Sequence, residues 1–349
     1  MNGEIIKELQ LLTLLILPVT LGLFFRPLIF AFDGYATING ICTGDWSVLA
    51  MQPVTNFLFS FFPCSFLFFK IFSFLSLIIT LYIIYKIMLN YYSPKISLYS
   101  LFFLLALSPI MLFQFAKFEN DLWAYPFIAL GIYFLLNKNY FKSFFSVALS
   151  LLFWVWPYHF THFGTNLALE LRPFAGLSSL FLFAFVIPFI FLIKNRRIVV
   201  FGVLALAMFL WNSKFFIFLV PFVALGIGLT LQKVYENKTH IKTIWVLCFF
   251  LLFAMNYSLF MQQPQQNQFD LLSQGIELAE KENLPIYNDW SYGHWIEYLG
   301  KRTEYKSGGH NLDYNLLEKP FVGLTDSNLL HLGCDFVSSA RTLKVWICR

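Results

Sequence analysis

Between residues 9 and 261 the chain returns repeatedly to apolar runs long enough to cross a bilayer, and this feature limits its fold more than any motif. A spanning helix needs about 20 predominantly apolar residues. The runs predict spans near 9–31, 65–88, 96–116, 122–137, 142–157, 173–193, 197–212, 214–232 and 243–261. Barrel strands alternate apolar and polar residues; these runs do not, so helices are expected. With 58% hydrophobic and only 12% charged residues in 349, the chain lacks the polar coat of a soluble domain. The expected fold is an α-helical polytopic membrane protein of about nine spans with a small external C-terminal α/β domain. The first run does not read as a signal peptide, because Arg26-Pro27 follows it and a small-x-small cleavage site is lacking.

Basic residues set the orientation. Lys86 and Lys95 follow the second span, Lys138 and Lys142 the fourth, Lys194, Arg196 and Arg197 the sixth, and Lys233, Lys238 and Lys242 the eighth. All these links share a side with Lys7, which the positive-inside rule makes cytoplasmic. The chain is thus expected in the cell membrane with its N-terminus cytoplasmic and its tail outside. The net charge of +5 follows from this topology and argues for no nucleic-acid partner. The acids divide the other way. Of Glu4, Glu8, Asp33, Asp45, Glu119, Asp121, Glu170 and Glu236, five fall on the external side, at or just beyond a span end.

The predicted organisation is a transmembrane bundle over 1–261 with external loops 32–64, 117–121 and 158–172. A Gln-rich linker, 262–268, leads to a small extracytoplasmic α/β domain, 269–349. In the first loop the half bounded by Pro53 and Pro63 is apolar and suits short interfacial helices. In the tail, "FDLLSQGIELAEKENL" has the spacing of an amphipathic helix. "PIYN" and "TEYKS" read as short strands, and "CDFVSSARTLKVWIC" as a closing hairpin turning at Arg341-Thr342. Cys334 and Cys348 would face each other across that hairpin, either as a disulfide or as two buried thiols. The absence of an internal repeat disfavours inverted-repeat transporters.

Four constellations carry candidate chemistry. Asp33 in "FDGY" stands at the outer end of the first span, where a carboxylate can hold a divalent cation or accept a proton, or simply cap a short helix. Glu119 and Asp121 in "FENDLW" are two carboxylates at a span junction. In an apolar setting they call for a cation; otherwise Asp121 caps the next helix and Glu119 pairs with Lys117. Glu170 and Arg172 in "ELRPF" form either a local ion pair or part of the same acidic mouth, with His159 and His162 upstream. Lys214, in the tight turn before the eighth span, either meets a phosphate as a point charge or snorkels to the surface.

The tail segment "IYNDWSYGHWIEYLGKRTEY" resembles the Trp-Trp-Asp-Tyr-Gly region of the oligosaccharyltransferase catalytic subunit, of the GT-C class of membrane glycosyltransferases. The resemblance extends in order to an acid after the first span (Asp33) and an acid-x-Asp at the third-to-fourth junction (Glu119, Asp121). It continues to a Glu before Leu-x-Pro (Glu170) and a basic residue before a helix containing Pro and Gly (Lys214). It implies that Asp33, Glu119, Asp121 and Glu170 surround a Mg²⁺ or Mn²⁺ ion, with Asp33, Asp121 and Glu170 catalytic. Lys214 and Arg172 would meet the donor phosphate, and Trp290, Ser291, Tyr292 and His294 would seat the acceptor. The implied donor is a sugar on a polyprenyl phosphate or pyrophosphate. The family's Trp-Trp-Asp corresponds here to Asp289-Trp290-Ser291, so both a protein asparagine and a lipid or hydroxyl group remain open as acceptor.

The expected activity is metal-assisted sugar transfer at the outer face, among membrane lipids. Two rivals use the same helices: a transporter or flippase of lipid-linked glycans, which needs ionisable groups along a midplane path, and an inactive relative that scaffolds a complex. The midplane looks almost bare of such groups, Lys70 near one span end being the main exception. If the tail motif seats the acceptor, Trp290→Ala weakens acceptor use while membrane insertion stays intact; equal loss of both in a membrane-fraction assay would contradict that role.

Overall fold

The computed structural model describes residues 42, 57, 61–62, 66–107, 120–154, 157, 195–211, 215–236, 266–288, 296, 305–307, 317–340 and 343–349. Of residues 66–67, 105–107, 120–121, 234–236, 266 and 305–307 the backbone alone is described. The chain divides into two compact units, Met1–Pro27 with Ala50–Gln262, and Leu28–Leu49 with Gln263–Arg349. It is mostly helical with a small C-terminal sheet.

The described helices of the first unit are α1 (Phe66–Leu89), α2 (Pro94–Leu107), α3 (Ala124–Leu136), α4 (Tyr140–Ser150), α5 (Arg196–Trp211) and α6 (Phe216–Glu236). Their breaks follow local chemistry. Pro94 opens α2, a position where its missing N–H costs nothing, and the Ser93 carbonyl accepts the Ser97 amide. Between α3 and α4, Lys138 adopts a φ of 62° and Asn139 caps α4, its side chain accepting from the Lys142 amide. Among the described residues two helices are long and apolar enough to cross a membrane, Phe68–Leu89 and Phe216–Lys233. The spans expected at 122–137 and 142–157 are shorter as helices. A 3-10 turn, Asn120–Trp123, precedes α3, and α4 gives way at Ser150 to turns ahead of Pro157. At about 1.5 Å per residue, neither helix alone matches a hydrocarbon core about 30 Å thick. The runs at 9–31, 173–193 and 243–261 lie outside the described residues, as does the end of the run at 96–116.

The core is apolar, yet two helices set hydroxyls into it while large apolar side chains face outward. On α4, Ser143, Ser146 and Ser150 are buried, whereas Phe141, Phe144 and Phe145 are 80%, 76% and 57% exposed. On α1, Ile71, Leu75, Ile78, Ile79 and Tyr82 form an exposed stripe opposite Ser73, Ser76, Thr80 and Leu77. Burying a Phe is worth about 1.5–3 kcal/mol in water, so this distribution is the reverse of what an aqueous surface selects. Four of the inward hydroxyls, those of Ser76, Thr80, Ser143 and Ser150, donate to backbone carbonyls, whereas Ser73 Oγ has no partner. Ser143 Oγ donates to Gly131 O of the neighbouring helix at 2.8 Å, and Thr80 Oγ1 to Ser76 O at 2.8 Å. Small residues allow the close approach: a Cβ on Gly131 would lie 2.6 Å from Val147 Cγ2.

Contacts at both ends fix helix directions. Ser76 Oγ, near the middle of α1, meets Leu122 O just ahead of α3, and Asn90 Nδ2 meets Asn137 Oδ1 beyond both ends, so these two helices are parallel. Tyr125 packs on Phe216, while Tyr92 Oη donates to Leu225 O, which aligns α6 with them. Burial, and then neighbouring Tyr91, holds the Tyr92 phenol well above its ordinary pKa, so it remains a donor. Arg197 reaches Tyr140 Oη, bringing the starts of α4 and α5 together. One end of this unit therefore carries Lys86, Lys95, Lys138, Lys142, Arg196, Arg197 and Lys233. Among its described residues, Lys70 is the basic side chain nearer the other end.

In the second unit α7 (Gln266–Glu282) leads into β1 (Ile286–Asn288), β2 (Tyr305–Ser307), β3 (Phe321–Thr325), β4 (Asp335–Ala340) and β5 (Leu343–Cys348), ordered β2-β1-β3-β5-β4. The amphipathic helix and both short strands match expectation, and β4 and β5 form the expected hairpin, pairing Ala340 with Leu343. The linker is shorter than 262–268, because helix begins at Gln266 and buries Gln268. Gln is a good helix former, so the polar run joins the helix. Leu271, Leu272, Ile276 and Ala279 are buried at helical spacing, and Gly275 lets α7 close on β3, where a Cβ would meet Leu324 Cδ2 at 2.6 Å. Tyr287, Phe321, Leu329 and Trp346 form a further buried cluster with Cys334 and Cys348, which are joined as a disulfide. Cys42 is also disulfide-bonded.

Gly131→Leu is expected to force α3 and α4 apart and lower the thermal midpoint of the purified protein, an overpacking cost of about 1–3 kcal/mol. A midpoint equal to wild type would contradict the close approach.

Candidate functional site

Two places gather the features expected of a site. One is the end of the helical unit opposite its basic residues. The 3-10 turn carrying Asp121 is pinned to α1: Ser76 Oγ donates to Leu122 O at 2.7 Å, and the Phe72 ring packs on Trp123 at 5.4 Å. Leu122 is fully buried. Immediately after the turn, Tyr125 meets Trp154 at 6.2 Å and Phe216 at 5.5 Å, and Trp154 meets Phe215 at 6.5 Å. These rings tie three junctions into one end of the bundle. The first is the turn of Asp121. The second is Trp154, which precedes Glu170 and Arg172 in sequence. The third is Phe215, next in sequence after Lys214.

Edge-to-face pairs of this kind contribute about 0.5–1.5 kcal/mol each beyond their buried area, enough to hold helix ends in register without using any charge. Sequence reasoning missed these rings as organisers. Their signal was present in Trp154, Tyr125 and Phe215, aromatic residues at three of the junctions whose sequence also holds a charged candidate.

The second place is the carboxyl edge of the sheet. β1 is flanked by parallel neighbours on both sides, Asn288 aligning with Ser307 of β2 and with Leu324 of β3. The chain leaves β1 for β2 on one side and then returns to β3 on the other. Such a reversal opens a crevice beyond the carboxyl ends of the strands, where open α/β sheets take their ligands. The motif beginning Asp289-Trp290-Ser291 starts at that edge. β1 and β2 are parallel and sixteen residues apart, as such a pair requires of its connection, and Ile296 between them is helical and buried. Asn288 and Thr325 are wholly buried at the edge, and Thr325 Oγ1 accepts the Ser327 amide at 3.0 Å.

Of the site residues expected from sequence, Asp33, Glu119, Glu170, Arg172, Lys214, Trp290, Ser291, Tyr292 and His294 lie outside the described residues, and Asp121 is described as backbone. Among the described residues no group of three or more His, Cys, Asp or Glu side chains could hold a metal ion. The Mg²⁺ or Mn²⁺ expectation therefore rests on carboxylates beyond the described set.

No protein-family model, curated protein or solved structure matches this chain.

Proposed function

We propose that this chain is a polytopic membrane glycosyltransferase of the GT-C type. In this reading it moves a sugar or oligosaccharide from a polyprenyl phosphate or pyrophosphate to an acceptor at the external membrane face. The observation that carries the reading is the gathering of the Asp121 turn, Trp154 and Phe215 at the bundle end opposite the basic residues. A lipid-linked donor suits that end, since its chain stays in the bilayer while its reactive carbon stands at the surface.

The topology has independent support. Basic residues collected at one end favour a cytoplasmic placement of that end, and outward-facing Phe141, Phe144 and Phe145 favour lipid around the helices. Disulfides persist in oxidising compartments. The Cys334–Cys348 bond and the bonded Cys42 thus favour an extracytoplasmic tail and first loop.

In this account Asp33, Glu119, Asp121 and Glu170 would hold Mg²⁺ or Mn²⁺, which supplies charge stabilisation for the departing phosphate. Asp33 and Asp121 would orient the acceptor nucleophile and take its proton. Lys214 and Arg172 would meet the anion left behind, as fixed cations are suited to do. The crevice beyond β1, with Trp290, Ser291, Tyr292 and His294, would seat the acceptor, an asparagine side chain or a lipid or sugar hydroxyl. The glycosyl bond to phosphate breaks, the bond to the acceptor forms, and the acceptor proton passes to a carboxylate.

Membranes supplied with radiolabelled polyprenyl-linked sugar test this. Transfer that EDTA abolishes and Mn²⁺ restores is expected, with Asp33→Ala and Asp121→Ala each lowering the rate by about a hundredfold or more. Labelled lipid that crosses the bilayer with its sugar still attached would instead mark a flippase. Unchanged transfer in both variants would remove the proposed chemistry.

A further inference from the structure

The joined starts of α4 and α5 take no part in the reaction described above. There Arg197 Nη1 donates to Tyr140 Oη at 3.5 Å, and both side chains are exposed. The contact is long for a hydrogen bond, and it engages one of the five guanidinium donors. The phenol accepts in it, so its own proton is not used there. Arg196 stands beside the pair, and Lys138 and Lys142 flank Tyr140 in sequence, all three exposed. Lys142 Nζ lies 5.7 Å from the centre of the Phe134 ring. Among the described residues no carboxylate pairs with these four cations. Neither helix carries an acid in its first turn, the place where acids are most favoured.

Past these charges both helices turn apolar side chains outward. On α4, Tyr140 and Phe141 share an exposed face with Phe144 and Phe145; on α5, Arg197 shares one with Val200 and Leu204. Two exposed apolar stripes thus start from one concentration of positive charge. In water such a surface is unfavourable twice over, since its rings are wet and its cations repel one another. At a membrane interface it complements a molecule that joins a negative head to hydrocarbon chains. Basic residues gathered at the cytoplasmic ends of membrane helices attract anionic lipids, and the topology proposed above sets this end in the cytoplasm.

From this geometry we infer that the starts of α4 and α5 form a binding site for an anionic phospholipid of the cytoplasmic leaflet. The Arg197 guanidinium and the Tyr140 hydroxyl donate to its phosphodiester oxygens. Arg196, Lys138 and Lys142 favour a net negative head over a zwitterionic one, and the acyl chains lie along the two apolar stripes. The site requires the membrane placement of the helical unit but no sugar transfer, so either can fail without the other.

The full chain, purified in detergent, is titrated with phosphatidylglycerol and with phosphatidylcholine of the same acyl chains, and the bound fraction is read by native mass spectrometry. Wild type is expected to hold phosphatidylglycerol about tenfold more tightly than phosphatidylcholine. Arg197→Gln is expected to weaken phosphatidylglycerol binding about tenfold, Arg197→Lys to weaken it less, and Tyr140→Phe to weaken it severalfold. Lys233→Gln removes one charge from the same end without touching the pair, and is expected to change binding by less than about twofold. A loss in Lys233→Gln as large as that in Arg197→Gln would mark diffuse attraction and overturn the site. Equal affinity of wild type for the two lipids would overturn it too, as would wild-type affinity in both Arg197→Gln and Tyr140→Phe. Displacement of phosphatidylglycerol by an equal concentration of inorganic phosphate would assign the donors to the free ion and overturn the lipid source. Should Arg197→Gln fail to assemble, Tyr140→Phe decides by itself, since an exposed ring then loses only its hydroxyl.

Discussion

In the membrane reading, an apolar solvent around the helical unit is the constraint on which the remainder rests. When the exterior is hydrocarbon, the hydrophobic effect no longer drives one helix against another, and packing and hydrogen bonds have to hold the bundle. The interior is built accordingly. Ser143 bonds the Gly131 carbonyl, Ser76 bonds the Leu122 carbonyl, and the glycine at 131 lets two backbones meet. The same constraint turns Phe141, Phe144 and Phe145 outward, where water would reject them.

That constraint also dictates where chemistry can occur. Charges excluded from the span interiors collect at helix ends, and the described ones divide unequally, with basic residues at one end and the Asp121 turn at the other. Because the Ser76–Leu122 bond and the Tyr125–Trp154–Phe215 rings hold that second end, the junctions there are set by uncharged contacts. The small sheet applies a parallel logic. Its central β1 has parallel neighbours on both sides, so the aromatic motif that follows it begins where an α/β sheet opens a crevice. In the proposed function these are the donor end and the acceptor seat.

Much of this was legible in the sequence, for identifiable reasons. The runs behind α1, α5 and α6 are long and unbroken, so their limits fall within a few residues of expectation. The period of α7 and the alternation around Arg341-Thr342 were equally readable, and the hairpin brought Cys334 and Cys348 together once both strands formed. The helices α3 and α4 were overextended, because apolarity continues through Trp123 and Leu151–Phe153 after the backbone has left the helix. Hydropathy cannot sense a turn made of apolar residues. Strand β3, "FVGLT", was missed altogether. It is buried along its whole length and therefore shows no alternation. The charged candidates could be listed from sequence, but not the rings that bring their junctions together. An aromatic residue near a span end reads the same whether it faces lipid or a partner helix.

The most direct test of the account is sidedness. Single cysteines introduced as Asn120→Cys, Pro157→Cys and Lys214→Cys, and as Asn139→Cys, Asn195→Cys and Lys233→Cys, are challenged in intact cells with a membrane-impermeant thiol reagent. The first three should label from outside and the second three only after permeabilisation. Labelling of Asn120→Cys and Lys214→Cys from opposite sides would contradict a shared external end, and with it the proposed meeting of donor and carboxylates there.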